Sequence, residues 1–339
     1  MAKPVYVGID DGHSEIKLFT ETGEHLSFPS RIKTSHEVIS GFGEDTLGLY
    51  TTEEGNKFTV SVHLTSADDT RFDGYPTSEM NRVLVHHALL QAGFGGRDVI
   101  VATGLPVRHT YFSDGSKNSE LINAKSLNIA KGVSSANTPM ANIVKNTVET
   151  EAIAAYVDQI VDMDGSPSSQ MDEFEDEYVG VIDVGGRTTD CIVVYPGGSG
   201  IDAARSGSAD AGFLKVHETV GSRLKLKFGL NHLAESIVDS AVRTGSLKVA
   251  GQKHDVSDIV DSEKKVLAQE ISAFVRTKIG SGRDLNVLLL VGGGALAMRE
   301  QLLEMFPHAT IPKNPEFANA RGMMKMAKYL SAKTRIESE

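Results

Sequence analysis

Two stretches of the 339-residue chain carry the same arrangement: an apolar run ending in Asp, a glycine-bearing polar turn, then a second apolar run. The first is Val7-Gly8-Ile9-Asp10-Asp11-Gly12-His13-Ser14-Glu15-Ile16-Lys17-Leu18. The second is Gly180-Val181-Ile182-Asp183-Val184-Gly185-Gly186-Arg187-Thr188-Thr189-Asp190-Cys191-Ile192-Val193-Val194. β-Branched runs flanking a Gly/Asp/Ser/Thr turn predict strand, tight turn, strand. The tip of such a hairpin offers backbone N–H groups, small hydroxyls and one fixed carboxylate. Two facing tips can hold a polyphosphate from both sides, each carboxylate aimed at a bound Mg²⁺. That chemistry is nucleotide hydrolysis. One Asp-x-Gly hairpin alone is usually just a hairpin, so the repeat carries the reading.

Within the tips, Gly12, Gly185 and Gly186 allow close backbone approach to phosphate oxygens. Ser14, Thr188 and Thr189 can donate hydroxyl hydrogen bonds, and Asp11, His13 and Arg187 complete the turns. A third glycine-rich stretch, Gly292-Gly293-Gly294, lies between a fully apolar strand and a helix. There, missing side chains could let a nucleoside lie against the backbone. Glu218 and Arg223, following Asp210-Ala211-Gly212, are candidate base or ribose contacts.

The elements that must position these residues alternate between strand and helix. Strands are expected at Val5–Ile9, Glu15–Thr20 and His25–Pro29. A strand-and-loop region punctuated by Gly41, Gly43, Gly48 and Gly55 then runs to about Gly74. Ser78–Ala92 reads as a helix stopped by Gly93, Val99–Ala102 as a buried parallel strand, and Val148–Val161 as a helix. An acidic, turn-rich segment from Asp164 to Glu177 marks the boundary between residues 1–165 and 166–339. The second half restarts the pattern, with helices at Phe213–Phe228, His232–Arg243, Ser257–Ile279, Ala295–Met305 and Ala318–Ala332, and a strand at Val287–Val291. Strands followed by alternating helices and strands, twice over, imply two α/β domains around a cleft, with the last helix packing back on the first domain.

Composition narrows the classes. Lys+Arg 34 against Asp+Glu 45 gives a net charge of −11, so overall charge favours neither nucleic acid nor membrane surfaces. The single cysteine, Cys191, excludes an internal disulfide and suits a reducing, cytoplasmic compartment. No apolar run approaches the ~18 residues of a membrane span, and the N-terminus enters a strand directly. There is no G-x₄-G-K-[ST] loop and no HExxH motif. His86 and His87, adjacent on a helix, cannot converge on one ligand. Met323, Met324 and Met326 read as core or interface filler.

Taken in order, IDDG at 9–12, IDVGGRTTD at 182–190 and VGGG at 291–294 resemble the two phosphate hairpins and the adenosine loop of the actin-type ATPases. Val85-His86-His87-Ala88-Leu89-Leu90, Leu105-Pro106 and Phe317-Ala318-Asn319-Ala320-Arg321-Gly322 narrow the resemblance to the ParM/StbA plasmid-partitioning actins. The resemblance implies an actin-like α/β fold of two RNase H-like domains with central mixed sheets around a nucleotide cleft. It implies that Asp10 and Asp183 orient Mg²⁺ and that Lys17 contacts phosphate, a solvated strand lysine being the alternative. It also implies that Glu151 positions or activates the attacking water. Glu149 is the fallback, and the competing view is that both glutamates merely favour a helix N-terminus. His13, where a small hydroxyl residue is common, and Arg187, bulky for a phosphate turn, depart from the family pattern.

The function implied is a filament former that moves plasmid DNA, fuelled by ATP or GTP with Mg²⁺. Its partners would be further copies of itself and a DNA-binding adaptor, with no direct nucleic-acid or membrane contact. Alternatives are a sugar-kinase or exopolyphosphatase-type phosphotransferase on the same fold, a non-plasmid or membrane-linked cytoskeletal actin, and a chaperone-type ATPase.

Overall fold

A computed structural model of the chain describes residues 3–36, 48–64, 66–136 and 138–330. The chain divides into two compact units. One comprises the described residues of Met1–Asp176 and Phe317–Glu339, the other Glu177–Glu316.

The first unit opens with β1 (Val5–Asp11), β2 (Glu15–Thr20), β3 (His25–Pro29), β4 (Ile32–Lys33), β5 (Gly48–Thr52) and β6 (Lys57–Val60). It continues with α1 (Glu79–Gln91), β7 (Asp98–Leu105), α2 (Val107–Thr110), α3 (Ser119–Ala130), β8 (Val133–Ser134), β9 (Asn142–Thr150), α4 (Glu151–Ile160) and α5 (Met171–Glu175). Its main sheet has the order β3-β2-β1-β7-β9, and a smaller sheet has the order β4-β6-β5-β8. β1 pairs antiparallel with β2 and parallel with β7, and β7 is parallel to β9. The carboxyl ends of three parallel strands therefore fall along one edge, where ligand sites of open α/β sheets form.

Alternation along β1 decides what each residue meets. Val7 and Ile9 join a core with Val83, Leu84 and Leu89 of α1. Gly8 faces the other way, toward α11 (Ala318–Lys325), so tightly that a Cβ there would lie 1.9 Å from the Ala320 carbonyl oxygen. Gly322 of α11 approaches α4 in the same manner, its absent Cβ 1.8 Å from the Ala154 carbonyl oxygen. Asp158 then binds Arg321 through both carboxylate oxygens at 2.6 Å and Lys325 at 2.8 Å. These contacts hold the C-terminal helix in the first unit.

The second unit contains β10 (Val179–Val184), β11 (Thr189–Val194), β12 (Gly207–Ala209), α6 (Leu214–Phe228), α7 (Glu235–Thr244), β13 (Ser246–Val249) and β14 (Gln252–Asp255). It closes with α8 (Ser257–Ile279), β15 (Val287–Val291), α9 (Gly293–Ala297) and α10 (Arg299–Met305). Its sheet order, β12-β11-β10-β15, repeats β3-β2-β1-β7 of the first unit, with the same antiparallel and parallel neighbours around the central strand. Ile182, Val184, Cys191 and Val193 pack on α6 and α8 through Val220, Leu224, Ile271 and Val275. Burial pushes the Cys191 thiol up to about 12, which makes it an inert core residue.

Several expected boundaries move. Val148–Thr150 belongs to β9 because its ladder with β7 continues to Leu105↔Thr150, and α4 begins only at Glu151. The helix expected from His232 begins at Glu235. The one expected over Ala295–Met305 is broken at buried Met298, with φ −118° and ψ 26°. The acidic segment is not all loop: α5 buries Phe174, which stacks on Tyr156 at 6.1 Å, and this keeps residues up to Asp176 with the first unit. Neither His86 nor His87 is at the surface. Gly41, Gly43 and residues 331–332 of the expected last helix lie outside the described residues. Among the described residues no helix is long and apolar enough to cross a membrane.

Candidate functional site

At the first hairpin, Asp10 and Asp11 are neighbours in sequence and therefore point to opposite faces of the sheet. Asp10 lies opposite Lys17 in the β1–β2 register, and Lys17 Nζ stands 3.7 Å from its Oδ2. Both side chains are almost buried. Burial raises the Asp10 pKa, Lys17 pulls it down, and the Asp11 charge raises it again.

Asp11 does not act as expected. Its carboxylate is 1% exposed and accepts from Asn81 Nδ2 of α1 at 2.5 Å, with Lys125 Nζ of α3 at 2.7 Å. The Gly104 amide at the end of β7 reaches its other oxygen at 3.5 Å. The side chain is an internal anchor facing away from Asp10, because one step along a strand reverses its direction. Lys125 and Asn81 escaped the sequence reading. Lys125 sits in an unremarkable helical stretch, and nothing local marks it as buried.

The remainder of this tip is held by the protein itself. His13 Nδ1 lies 2.7 Å from the Thr70 carbonyl oxygen, Thr70 Oγ1 donates to the His13 carbonyl at 3.0 Å, and the His13 ring tilts against Tyr75 at 4.8 Å. This accounts for a histidine at that turn. Ser30 Oγ donates to the Gly12 carbonyl at 2.6 Å, and the Ser30 amide donates to that of Ser14 at 2.9 Å. Ser14 is half-buried.

Glu151, the first residue of α4, is half-buried beside the end of β7: a Cβ on Gly104 would lie 2.7 Å from its Cγ and 3.2 Å from its Oε1. Glu149 is the penultimate residue of β9, in register with Gly104, and burial raises its pKa. The two glutamates thus sit on different elements, and α4 projects only Glu151.

In the second hairpin, Asp183 is buried and lies opposite Asp190, which accepts from Thr188 Oγ1 at 3.3 Å and from Ser208 Oγ. Thr189 does not offer its hydroxyl at the tip. It is fully buried and donates to the Ala211 carbonyl at 2.6 Å, because alternation turns it inward. The start of α6 docks on the tip, with the Phe213 and Leu214 amides donating to the Gly185 and Gly186 carbonyls at 3.0 and 2.9 Å. Gly212 makes this possible, since a Cβ there would fall 2.2 Å from the Gly186 carbonyl oxygen. Arg187 is 17% exposed and faces Asp210 across 3.6 Å, so it folds along the tip.

The glycine loop packs closely on the end of β10. Gly292 has φ +89°, and its Cβ would lie 2.4 Å from Asp183 Oδ1 and 2.5 Å from the Val184 carbonyl oxygen. A Gly294 Cβ would meet Val184 Cγ1 at 2.5 Å. What crowds these two glycines is the protein's own β10 terminus; Gly293, between them, is half-buried. Farther along α6, Glu218, Thr219, Ser222 and Arg223 line a surface depression with Glu263 of α8, and Arg223 pairs with Glu263 at 2.5 Å.

The first unit therefore gathers Asp10, Gly12, His13, Ser14, Lys17 and Glu151 at the carboxyl ends of β1, β7 and β9. The second gathers Asp183, Gly185, Gly186, Arg187, Thr188, Asp210, Gly212 and Gly292 at the ends of β10 and β15. Glu218 and Arg223 are exposed farther along α6, the helix whose start docks on that tip.

Two family models match the chain: "Plasmid segregation protein ParM, N-terminal" over residues 5–161 and "Archaeal actin homologue MreB-like, C-terminal" over 181–304. No curated protein matches it. Among solved structures, a 15-stranded ParM filament from Clostridium botulinum superposes with a TM-score of 0.77 at 19% identity, covering 96% of this chain and 99% of that one. Ta0583, an archaeal actin homologue in complex with ADP, gives 0.74 at 19% identity over 96% and 99%. The actin-like protein Alp7A gives 0.75 at 15% identity over 99% of each chain. At such identities the structural likeness is one of fold. The duplicated hairpin sheets and the two family matches agree: the chain is an actin-like protein, related to the ParM/StbA plasmid-segregation actins and to the archaeal MreB-like actin homologues.

Proposed function

We propose that the protein binds and hydrolyses a nucleoside triphosphate, ATP or GTP, and couples hydrolysis to the assembly of copies of the chain into filaments that segregate plasmid DNA through a DNA-binding adaptor. The observation that carries this reading is the duplication itself: each unit ends its central strand in a buried Asp at a hairpin tip, in a chain related to the ParM actins. The solved ParM filament and the ADP complex of Ta0583 support assembly and nucleotide use by analogy. A head-to-tail contact between copies does not close on itself and so yields a filament.

Among the described residues no group of three or more His, Cys, Asp or Glu side chains is placed to hold a metal ion. Carboxylates at strand ends fit an ion that keeps its waters and phosphate oxygens, which is how Mg²⁺ is usually held, and Asp10 and Asp183 are the residues that would hold it. Bound there, Mg²⁺ would offset the phosphate charge. Lys17, beside Asp10, would supply a fixed cation, and the half-buried Glu151 would take a proton from water. General-base help of this kind is worth about 10²–10⁴-fold in rate.

The test is pelleting and light scattering of the purified protein with Mg²⁺ and ATP, GTP or no nucleotide, run beside phosphate release. Polymer that needs nucleotide, with release lagging assembly, is expected, and EDTA should abolish release. Glu151→Ala should keep assembly and slow release by about 10²-fold or more. Hydrolysis without polymer at any concentration would sink the filament reading. Unchanged release in Glu151→Ala would remove that residue from its role.

A further inference from the structure

The buried ion pair Asp11–Lys125 has no counterpart in the second unit. Asp11 directly follows the Asp of the first hairpin; the matching position of the second is Val184, fully buried in an apolar core. The protein thus contains its own demonstration that this strand position can be filled without charge. Replacing buried ion pairs by apolar groups is often neutral or stabilising, so a pair retained here is weak evidence for stability.

The geometry of the pair explains its presence. Lys125 Nζ binds Asp11 Oδ2 at 2.7 Å and the Gly104 carbonyl oxygen at 2.5 Å, while the Gly104 amide reaches Asp11 Oδ1 at 3.5 Å. The last turn of β7 is therefore gripped by both its carbonyl and its amide. On its other side Gly104 carries no Cβ, and the Glu151 side chain rests in that space. Asp11, Lys125, Gly104 and Glu151 form one line of contact, although Asp11 and Lys125 do not themselves border the hairpin tip. We propose that the Asp11–Lys125 pair is a positioning device for Glu151: it fixes the Gly104 peptide against which the Glu151 carboxylate is set for hydrolysis. This rests on the reading of Glu151 as the group that activates water.

The test compares four variants with the full chain: Glu151→Gln, the double variant Asp11→Val/Lys125→Met, the triple combination, and Gly104→Ala. The double variant copies the apolar solution of the second unit. It should bind a fluorescent ATP analogue within about 3-fold of the parent while kcat for phosphate release falls about 10- to 100-fold, as expected when a reacting group is misplaced rather than removed. The triple variant should be no slower than Glu151→Gln alone, because residues acting through one group are not additive. A purely structural role would instead lower the urea midpoint and multiply the loss in the triple variant. Gly104→Ala leaves the ion pair intact but pushes a methyl into the Glu151 Cγ, the flexible Met323 Cε moving aside, and should reproduce the kcat loss. If the double variant fails to fold, Gly104→Ala decides: parent-like kcat overturns the proposal. Full activity in Glu151→Gln overturns the functional reading and this proposal with it. Loss in Glu151→Gln with full activity in the double variant overturns this proposal alone.

Discussion

The two hairpins share a backbone and differ in how they manage the charge at the tip. In the first, the strand-end carboxylate of Asp10 faces Lys17 across the ladder, and the next residue, Asp11, is neutralised from behind by Lys125. In the second, the equivalent of Lys17 is Asp190, so two carboxylates stand in register, and the residue after Asp183 is apolar. Like charges directly opposite on a sheet are unfavourable, and Asp190 is instead satisfied by the Thr188 and Ser208 hydroxyls. The first hairpin sets a lysine opposite its strand-end carboxylate. The second sets a carboxylate there, and its arginine, Arg187, faces Asp210 instead.

Breaking the brace should have the largest effect. Gly292→Ala forces an L side chain into φ +89° and within 2.4 Å of Asp183 Oδ1, and should cost about 4 kcal/mol or more in urea unfolding. Gly12→Ala, whose nearest contact would be 3.0 Å from the Glu15 carbonyl oxygen, should cost about 1 kcal/mol or less. Similar losses in both would mean that the two tips are equally braced.

Acid should separate the units next. Burial pulls both His86 and His87 of the first unit down to about 4, from 6.5 in the unfolded chain. A depressed histidine pKa means that the unfolded state takes the proton first. The contribution is therefore complete above pH 6.5 and is lost as pH falls toward 4, about 3 kcal/mol for each ring. Hydrogen exchange between pH 7 and 4.5 should show the first unit loosening before the second. Uniform loosening would refute this, and replacing His87, bonded to the Tyr50 hydroxyl at 2.6 Å, by Gln should narrow the gap.

Smaller effects follow at the cross-strand partners. Lys17→Met removes the cation that holds the Asp10 pKa down, so the acid limb of the hydrolysis profile should move to higher pH, with about 1–2 kcal/mol of stability lost. Asp190→Asn still accepts one of the two hydroxyls on its carbonyl oxygen, donates its NH₂ to the other, which turns to accept, and relieves repulsion with Asp183, so stability should change by less than about 1 kcal/mol. A large loss there would show that the acidic pair is compensated by groups other than these hydroxyls.

Much of this was legible in the residues. The hairpins, the helix starting at Ser78 and the apolar strand Val287–Val291 are local patterns, and local hydrogen bonding and periodicity suffice to form them. Ser78, read as the first residue of that helix, is its cap and accepts from the Asn81 amide at 3.2 Å. Less legible were ends set by neighbours. Val148–Thr150 reads as helix by composition, yet pairs with β7, because a ladder to a buried strand outweighs a weak propensity. Thr189 and Asp11 were counted with the tips because a motif records type and spacing, whereas direction depends on which face the sheet presents.

The amino-acid order by itself determined the repeat, the strand-end carboxylates Asp10 and Asp183, and the glycines that the turns require, since each follows from contacts within a few residues. Only the tertiary structure decided that Lys125 grips Asp11 and Gly104, that Gly292 is crowded by Asp183, and that the C-terminal helix locks onto Asp158. These join positions from 21 to 167 residues apart, and their energies exist only once packing has excluded water and left each buried charge to find its partners within the protein.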